Sequence, residues 1–137
     1  MPVREEEAAR WRAISRDSRK AAQHLLEVGC YRSSVSRSYY AAYSAITSAL
    51  IRQGIALGYG GNNPGHAGLP VYVLNNLTTL SMPSRFEINK ALRRLYAARI
   101  EADYQAASNA GERAALGMLR DLDRILTLLS MNERMMP

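Results

Sequence analysis

The segment Leu92–Tyr104, LRRLYAARIEADY, contains neither glycine nor proline and consists mostly of good helix formers. A chain with such a run is committed to a helix there. The apolar positions Ile88, Leu92, Leu95, Ala102 and Ala106 recur three or four residues apart, and the position completing the series is Arg99. Burying an uncompensated guanidinium is costly. Two readings of Arg99 follow. Either Asp103, one turn further on the same face, neutralises it, or its side chain projects into a cleft or a subunit interface to do chemistry.

The same periodicity organises the rest of the chain. A first helix is expected over about Glu5 to Val28, with Glu5, Glu6 and Glu7 at the positive end of its dipole. Trp11, Ile14, Ser18, Ala21, Leu25 and Val28 form its expected inner face, and Gly29 its stop. A second helix starts at Ser33 or Ser34, either able to cap it, and buries Val35, Tyr39, Ala42, Ile46 and Ala49 before ending near Arg52 or Gln53. The glycine-rich stretch Gly58–Gly68 interrupts the pattern. A short third helix is expected from Pro70 to near Leu80. Ser84-Arg85-Phe86-Glu87 has the form of a capping box that opens the fourth helix. Ser108–Gly111 breaks the chain again. A fifth helix over about Glu112 to Leu129 turns Ala115, Met118, Leu122, Ile125, Leu126 and Leu129 inward. The expected fold class is all-α, an antiparallel helical bundle of four long helices plus one short helix. With no repeat and no internal linker, residues 1–137 read as a single domain.

Composition narrows the function classes. The formal net charge is +6, and Lys20 and Lys90 are the only lysines, so arginine carries the positive charge. Its planar fork suits phosphate and carboxylate, although the arginines are spread along the chain and form no basic tail. Cys30 stands alone, which excludes an intrachain disulfide and reads as a small, partly buried apolar residue of a reducing compartment. The polar N-terminus has no signal core, and no apolar run approaches a membrane span. The expected location is cytoplasmic. There Asn76-Leu77-Thr78 is no glycosylation site. His24 and His66, distant and without cysteine partners, make no recognisable metal site. Gly58-Tyr59-Gly60-Gly61 follows a helix rather than a strand and is a weak phosphate cradle. No cofactor is expected.

Three motifs resemble the HEPN superfamily. They are the Tyr-Tyr-Ala helix Val35–Tyr43, His66-Ala67-Gly68-Leu69 after a glycine-rich loop, and Arg99-Ile100-Glu101-Ala102-Asp103-Tyr104. The last resembles the Arg…Ala-Asp-Tyr signature of its small stand-alone prokaryotic branch. Together they span about Ala9 to Leu129. The resemblance implies a bundle that usually dimerises. Many HEPN proteins are metal-independent ribonucleases with an Arg-X4-6-His motif near the dimer interface. Others are toxins paired with a nucleotidyltransferase-type antitoxin, whose target is in some cases a motif tyrosine. Still others bind nucleotides or serve as non-catalytic helpers.

Arg99 carries over to the motif arginine, whereas Tyr104 stands where the histidine belongs. A phenol with a pKa near 10 is a poor proton acceptor at neutral pH. The catalytic candidates are therefore Arg99 to stabilise a phosphate, Asp103 to orient it, and Tyr104 to contact RNA or accept a nucleotidyl group. On an ideal helix Tyr104 lies about 140° around from Arg99, so the two side chains are not expected to converge. Arg85, Arg93 and Arg94 make the fourth helix the most basic element and the expected RNA face. His66 is a further candidate RNA contact, its simpler reading being a helix-start residue bonded to backbone. Tyr39, Tyr40 and Tyr43 are either core or dimer packing or a base-stacking set. The functional expectation is an RNA-directed toxin or defence module. The alternative is a non-catalytic interaction or nucleotide-binding domain that partners a nucleotidyltransferase.

Overall fold

The computed structural model describes residues 2–55, 65–106 and 111–135. They form five helices: α1 (Pro2–Glu27), α2 (Tyr31–Arg52), α3 (Gly65–Asn76), α4 (Met82–Tyr104) and α5 (Glu112–Met135). No strand occurs among the described residues. The glycine-rich motif at 58–61 and most of the break at 108–111 lie outside them.

Helix α2 is the centre of the bundle, packed against α1, α4 and α5 and touched by α3. Its expected inner face, Val35, Tyr39, Ala42, Ile46 and Ala49, is buried throughout. Leu122, Ile125 and Leu129 of α5 and Ile88, Leu92 and Leu95 of α4 complete the core around it.

Helix α1 turns a different face inward than its large apolar residues indicate. Of the expected inner face Ser18 is buried and Trp11, Ala21 and Leu25 are half-buried, but Ile14 and Val28 are exposed, while Ala8, Ser15 and Ala22 are buried instead. The reason is a ladder of small residues. Ser15 Oγ donates to the Ala41 carbonyl (2.7 Å), Ser34 Oγ to that of Ala22 (2.8 Å) and Ser48 Oγ to that of Ala8 (2.7 Å). Ala8, Ser15 and Ala22 on α1 thus meet Ser48, Ala41 and Ser34 on α2 at heptad intervals, antiparallel. Side chains this small let the two backbones approach closely, and each buried hydroxyl is satisfied on the opposite helix.

The helix ends are also set by tertiary partners. Gly29 closes α1 with φ 81°, a left-handed conformation that favours glycine, and its N–H donates to the Leu26 carbonyl. Cys30 precedes α2 as a backbone cap without a side-chain bond, so α2 starts at Tyr31 and neither Ser33 nor Ser34 caps it; Ser34 faces α1 instead. Cys30 is exposed rather than partly buried. Helix α3 begins at Gly65, before Pro70, and ends at Asn76. Pro70 supplies no N–H within it. Burial of Leu69, Pro70 and Val73 and a bond from Asn89 Nδ2 to the Pro70 carbonyl (2.7 Å) hold it in place. Ser81, not Ser84, caps α4, accepting from the Ser84 N–H (3.3 Å). Glu87 does not close a capping box; it receives Arg124 of α5 at 2.6 Å. Arg32 of α2 donates to the carbonyls of Ala102, Gln105 and Ala106, closing the C-terminus of α4 just beyond Tyr104. Ala106 therefore lies past the helix and is exposed.

Candidate functional site

The last turns of α4 run antiparallel to the first half of α2, which brings Tyr96, Arg99, Asp103 and Tyr104 against Ser36, Tyr39 and Tyr40. The Arg99 side chain is 13% exposed. Its Nη2 donates to Tyr40 Oη at 2.7 Å, and its guanidinium carbon stands 5.3 Å from the Tyr40 ring centre, 5.4 Å from that of Tyr104 and 5.9 Å from that of Tyr39. These distances are within reach of cation–π attraction. Asp103 Oδ2 lies 3.0 Å from Arg99 Nε, an i,i+4 ion pair. The buried Nε–H nonetheless makes no aligned hydrogen bond, so the attraction is coulombic. Asp103 also accepts from Ser36 Oγ at 3.2 Å. Burial opposes the charge on Arg99, but Tyr40, Tyr104, Asp103 and Tyr39 together raise its pKa above the ordinary value. Arg99 is a fixed cation. Of the two sequence readings, neutralisation by Asp103 is present, inside a cage of aromatic rings.

Tyr104 does converge with Arg99. Helical side chains lean toward the N-terminus, so the Tyr104 ring folds back over the preceding turn, where the long Arg99 side chain ends. Tyr104 itself is 69% exposed, and its ring forms an outer cover on the guanidinium.

His66 enters the same cluster from the first turn of α3. Its Nδ1 lies 2.5 Å from Tyr39 Oη, so this nitrogen meets a tyrosine hydroxyl rather than a backbone group. Its ring is 4.5 Å from that of Tyr43, 5.5 Å from Tyr39 and 6.0 Å from Tyr40. Burial, and then the charge of Arg99, push the His66 pKa below its ordinary value. At neutral pH the imidazole is therefore uncharged, with Nε2 the nitrogen not held by Tyr39. Tyr39 is fully buried, and burial pushes its phenol well above the ordinary range, so it keeps its proton. Trp11 of α1 extends the aromatic surface through Tyr43, centre to centre 6.2 Å.

The other basic candidates are dispersed. Helical geometry turns Arg93 and Arg94 about 120° and 140° away from Arg99. Arg94 forms a two-pronged pair with Asp121 of α5 (2.8 and 2.9 Å), and Arg85 donates to the carbonyls of Leu80 and Leu74. Arg93 is exposed. His24 is exposed on α1, and no cluster of three or more His, Cys, Asp or Glu side chains suited to a metal occurs among the described residues. No helix among them is long and apolar enough to cross a membrane.

Sequence reasoning paired Arg99 with Asp103 and named Tyr40 and His66 as candidates, but it set Tyr104 apart from Arg99 and brought neither Ser36, Tyr40 nor His66 to the pair. The adjacent tyrosines were visible; their partners are too distant in the chain for spacing to reveal. The family model described as HEPN domain matches residues 8–133. No curated protein and no solved structure matches the chain.

Proposed function

The chain belongs to the HEPN domain family, and from that premise we propose that it is an RNA-directed module whose Arg99 cluster cleaves RNA without a metal, acting as a homodimer in a toxin or defence role. The observation that carries this reading is the convergence of a neutral histidine, His66, with the fixed cation Arg99 around Tyr39 and Tyr40. Tyr104 occupies the usual histidine position, and His66 supplies the missing imidazole from another helix.

The chemistry then follows from the groups present. His66 Nε2, with Nδ1–H turned toward Tyr39, accepts the proton of a ribose 2′-hydroxyl. The 2′-oxygen attacks the adjacent phosphorus, the bond from phosphorus to the 5′-oxygen breaks, and the proton passes from His66 to that oxygen. The products are a 2′,3′-cyclic phosphate and a 5′-hydroxyl. Arg99 stabilises the extra negative charge on the phosphoryl oxygens. The exposed Tyr104 ring moves aside or stacks on a base. Asp103 and Ser36 keep the guanidinium oriented.

The test is cleavage of a mixed pool of labelled RNAs in EDTA by the wild-type chain, Arg99→Ala and His66→Gln. Cleavage by the wild type that drops at least about 100-fold in both variants supports the assignment. Cleavage that survives His66→Gln removes the histidine from it.

A second reading is favoured by one observation, the 69% exposure of Tyr104 at the end of α4. In it the domain is non-catalytic and partners a nucleotidyltransferase-type protein that modifies this hydroxyl. Co-expression with the neighbouring gene product, followed by intact-mass measurement, decides it: an added nucleotide mass absent from Tyr104→Phe supports this reading, and an unchanged mass rejects it.

A further inference from the structure

Aromatic side chains from four helices join into one row. Ring centre to centre, Trp11 of α1 lies 6.2 Å from Tyr43 of α2, Tyr43 lies 4.5 Å from His66 of α3, and His66 lies 6.0 Å from Tyr40 of α2. The Arg99 guanidinium carbon then stands 5.3 Å from the Tyr40 ring and 5.4 Å from that of Tyr104 at the end of α4. Tyr39 packs against Tyr40, Tyr43 and His66 at 5.4, 6.3 and 5.5 Å and is fully buried. The rings of the row are not. Trp11, Tyr43, His66 and Tyr40 are half-buried, and Tyr104 is exposed. Core packing alone would cover them as it covers Tyr39. A contiguous apolar surface left open to water marks a binding site.

The order of the groups says what fits. The row continues beyond His66 to Trp11 and beyond Arg99 to Tyr104, so bases on both sides of a phosphate held between His66 and Arg99 meet a ring. Bases of an unpaired strand can be splayed onto aromatic side chains whatever their identity, whereas those of a duplex are already stacked on one another. One base needs one ring, so a row of this length favours a strand over a mononucleotide. The net charge of +6 suits a polyanion. We propose that the row is a stacking platform for an unpaired RNA strand, with Trp11 and Tyr43 taking bases on the His66 side of the phosphate and Tyr104 the base on the Arg99 side. This rests on the reading of the Arg99 cluster as RNA-directed. It adds the class of RNA, single-stranded, and two residues, Trp11 and Tyr43, that the cleavage chemistry does not use.

Trp11 is the only tryptophan of the chain, so its emission reports on the row directly. The probe is a fully 2′-O-methylated oligouridylate of about 12 nucleotides, within the site sizes of single-strand binders. It lacks the attacking hydroxyl, so binding is read whether or not the cluster cuts RNA. Saturable quenching by the single strand is expected, at least about tenfold tighter than by the same strand annealed to its complement. Tyr104→Ala removes an exposed ring, so the fold is retained, and should weaken the binding read at Trp11 at least about fivefold. Trp11→Leu should weaken it similarly, read by anisotropy of a labelled strand. Absence of saturable quenching, equal affinity for strand and duplex, or affinity unchanged in either variant overturns the proposal. Emission that shifts with protein concentration but not with the oligonucleotide also overturns it, and assigns the row to contact between two copies. Absence of cleavage in the labelled RNA pool with this binding intact rejects the nuclease reading and leaves the platform standing.

Discussion

Protonating His66 inside the fold places a second positive charge beside Arg99 where water is scarce, so the folded state resists it. The unfolded chain does not. Its folded pKa lies below the unfolded value near 6.5, so the unfolded state binds more protons as pH falls through that value. Stability from this source is complete above a pH of about 6.5 and is lost progressively as acid approaches the folded pKa. Thermal melts should therefore show Tm falling below a pH of about 6.5, and His66→Gln should flatten that part of the profile. At the neighbouring residue, Tyr40→Phe removes the acceptor of Arg99 Nη2. Bonds to charged groups contribute about 1.5–3 kcal/mol; with Tyr40 only half-buried, urea unfolding should show a loss toward the lower end. Of these residues, the Arg99–Asp103 pair was legible in the sequence, because a spacing of four sets it on any helix. The Tyr40 and His66 contacts were not, since nothing local joins positions 40, 66 and 99.

At the scale of helices, the pairing of α1 with α2 depends on the small-residue ladder rather than on bulky apolar side chains. Ser34→Leu adds three carbons and a branch where Ser34 is fully buried against Ala22. It should cost about 1–3 kcal/mol or more by forcing the helices apart. Ser15→Ala removes one buried bond without adding bulk and should cost about 1 kcal/mol. Chemical denaturation of the two variants checks the order. Arg32 joins α2 to the end of α4 through three carbonyls, so Arg32→Ala should loosen the turn that carries Asp103 and Tyr104. Faster amide exchange confined to residues 102–106, with global stability lowered by about 1–2 kcal/mol, is the expected signature. Helix identities and the inner face of α2 followed from periodicity alone, as did Ala115, Leu122, Ile125 and Leu129 on α5, where Leu119 and Leu128 are buried as well and Met118 and Leu126 only half-buried. The inner face of α1 did not, because hydrophobic size pointed one way and close approach of backbones another.

The molecule as a whole carries a net charge of +6, which favours polyanions in general without selecting a sequence, so the proposed RNA-directed role predicts a strong dependence on salt. Affinity for single-stranded RNA should fall linearly with salt on logarithmic axes, by about 0.7 per phosphate contacted. Arg93→Glu should weaken it; unchanged affinity would remove this part of α4 from the RNA face. Arg94 is the poorer test, since Arg94→Glu also sets a carboxylate against Asp121. If the proposed homodimer forms, sedimentation should report the mass of two 15.2 kDa chains. Taken by itself, the sequence determined the helices, most of their buried faces and the Arg99–Asp103 pair, all consequences of residues a few positions apart on one periodic backbone. Only the tertiary structure decided which face α1 would bury and that the His66 ring would pack on the same tyrosines, Tyr39 and Tyr40, that surround Arg99. Those outcomes depend on how the five described helices share one core, with α3 packed against both α4 and α2.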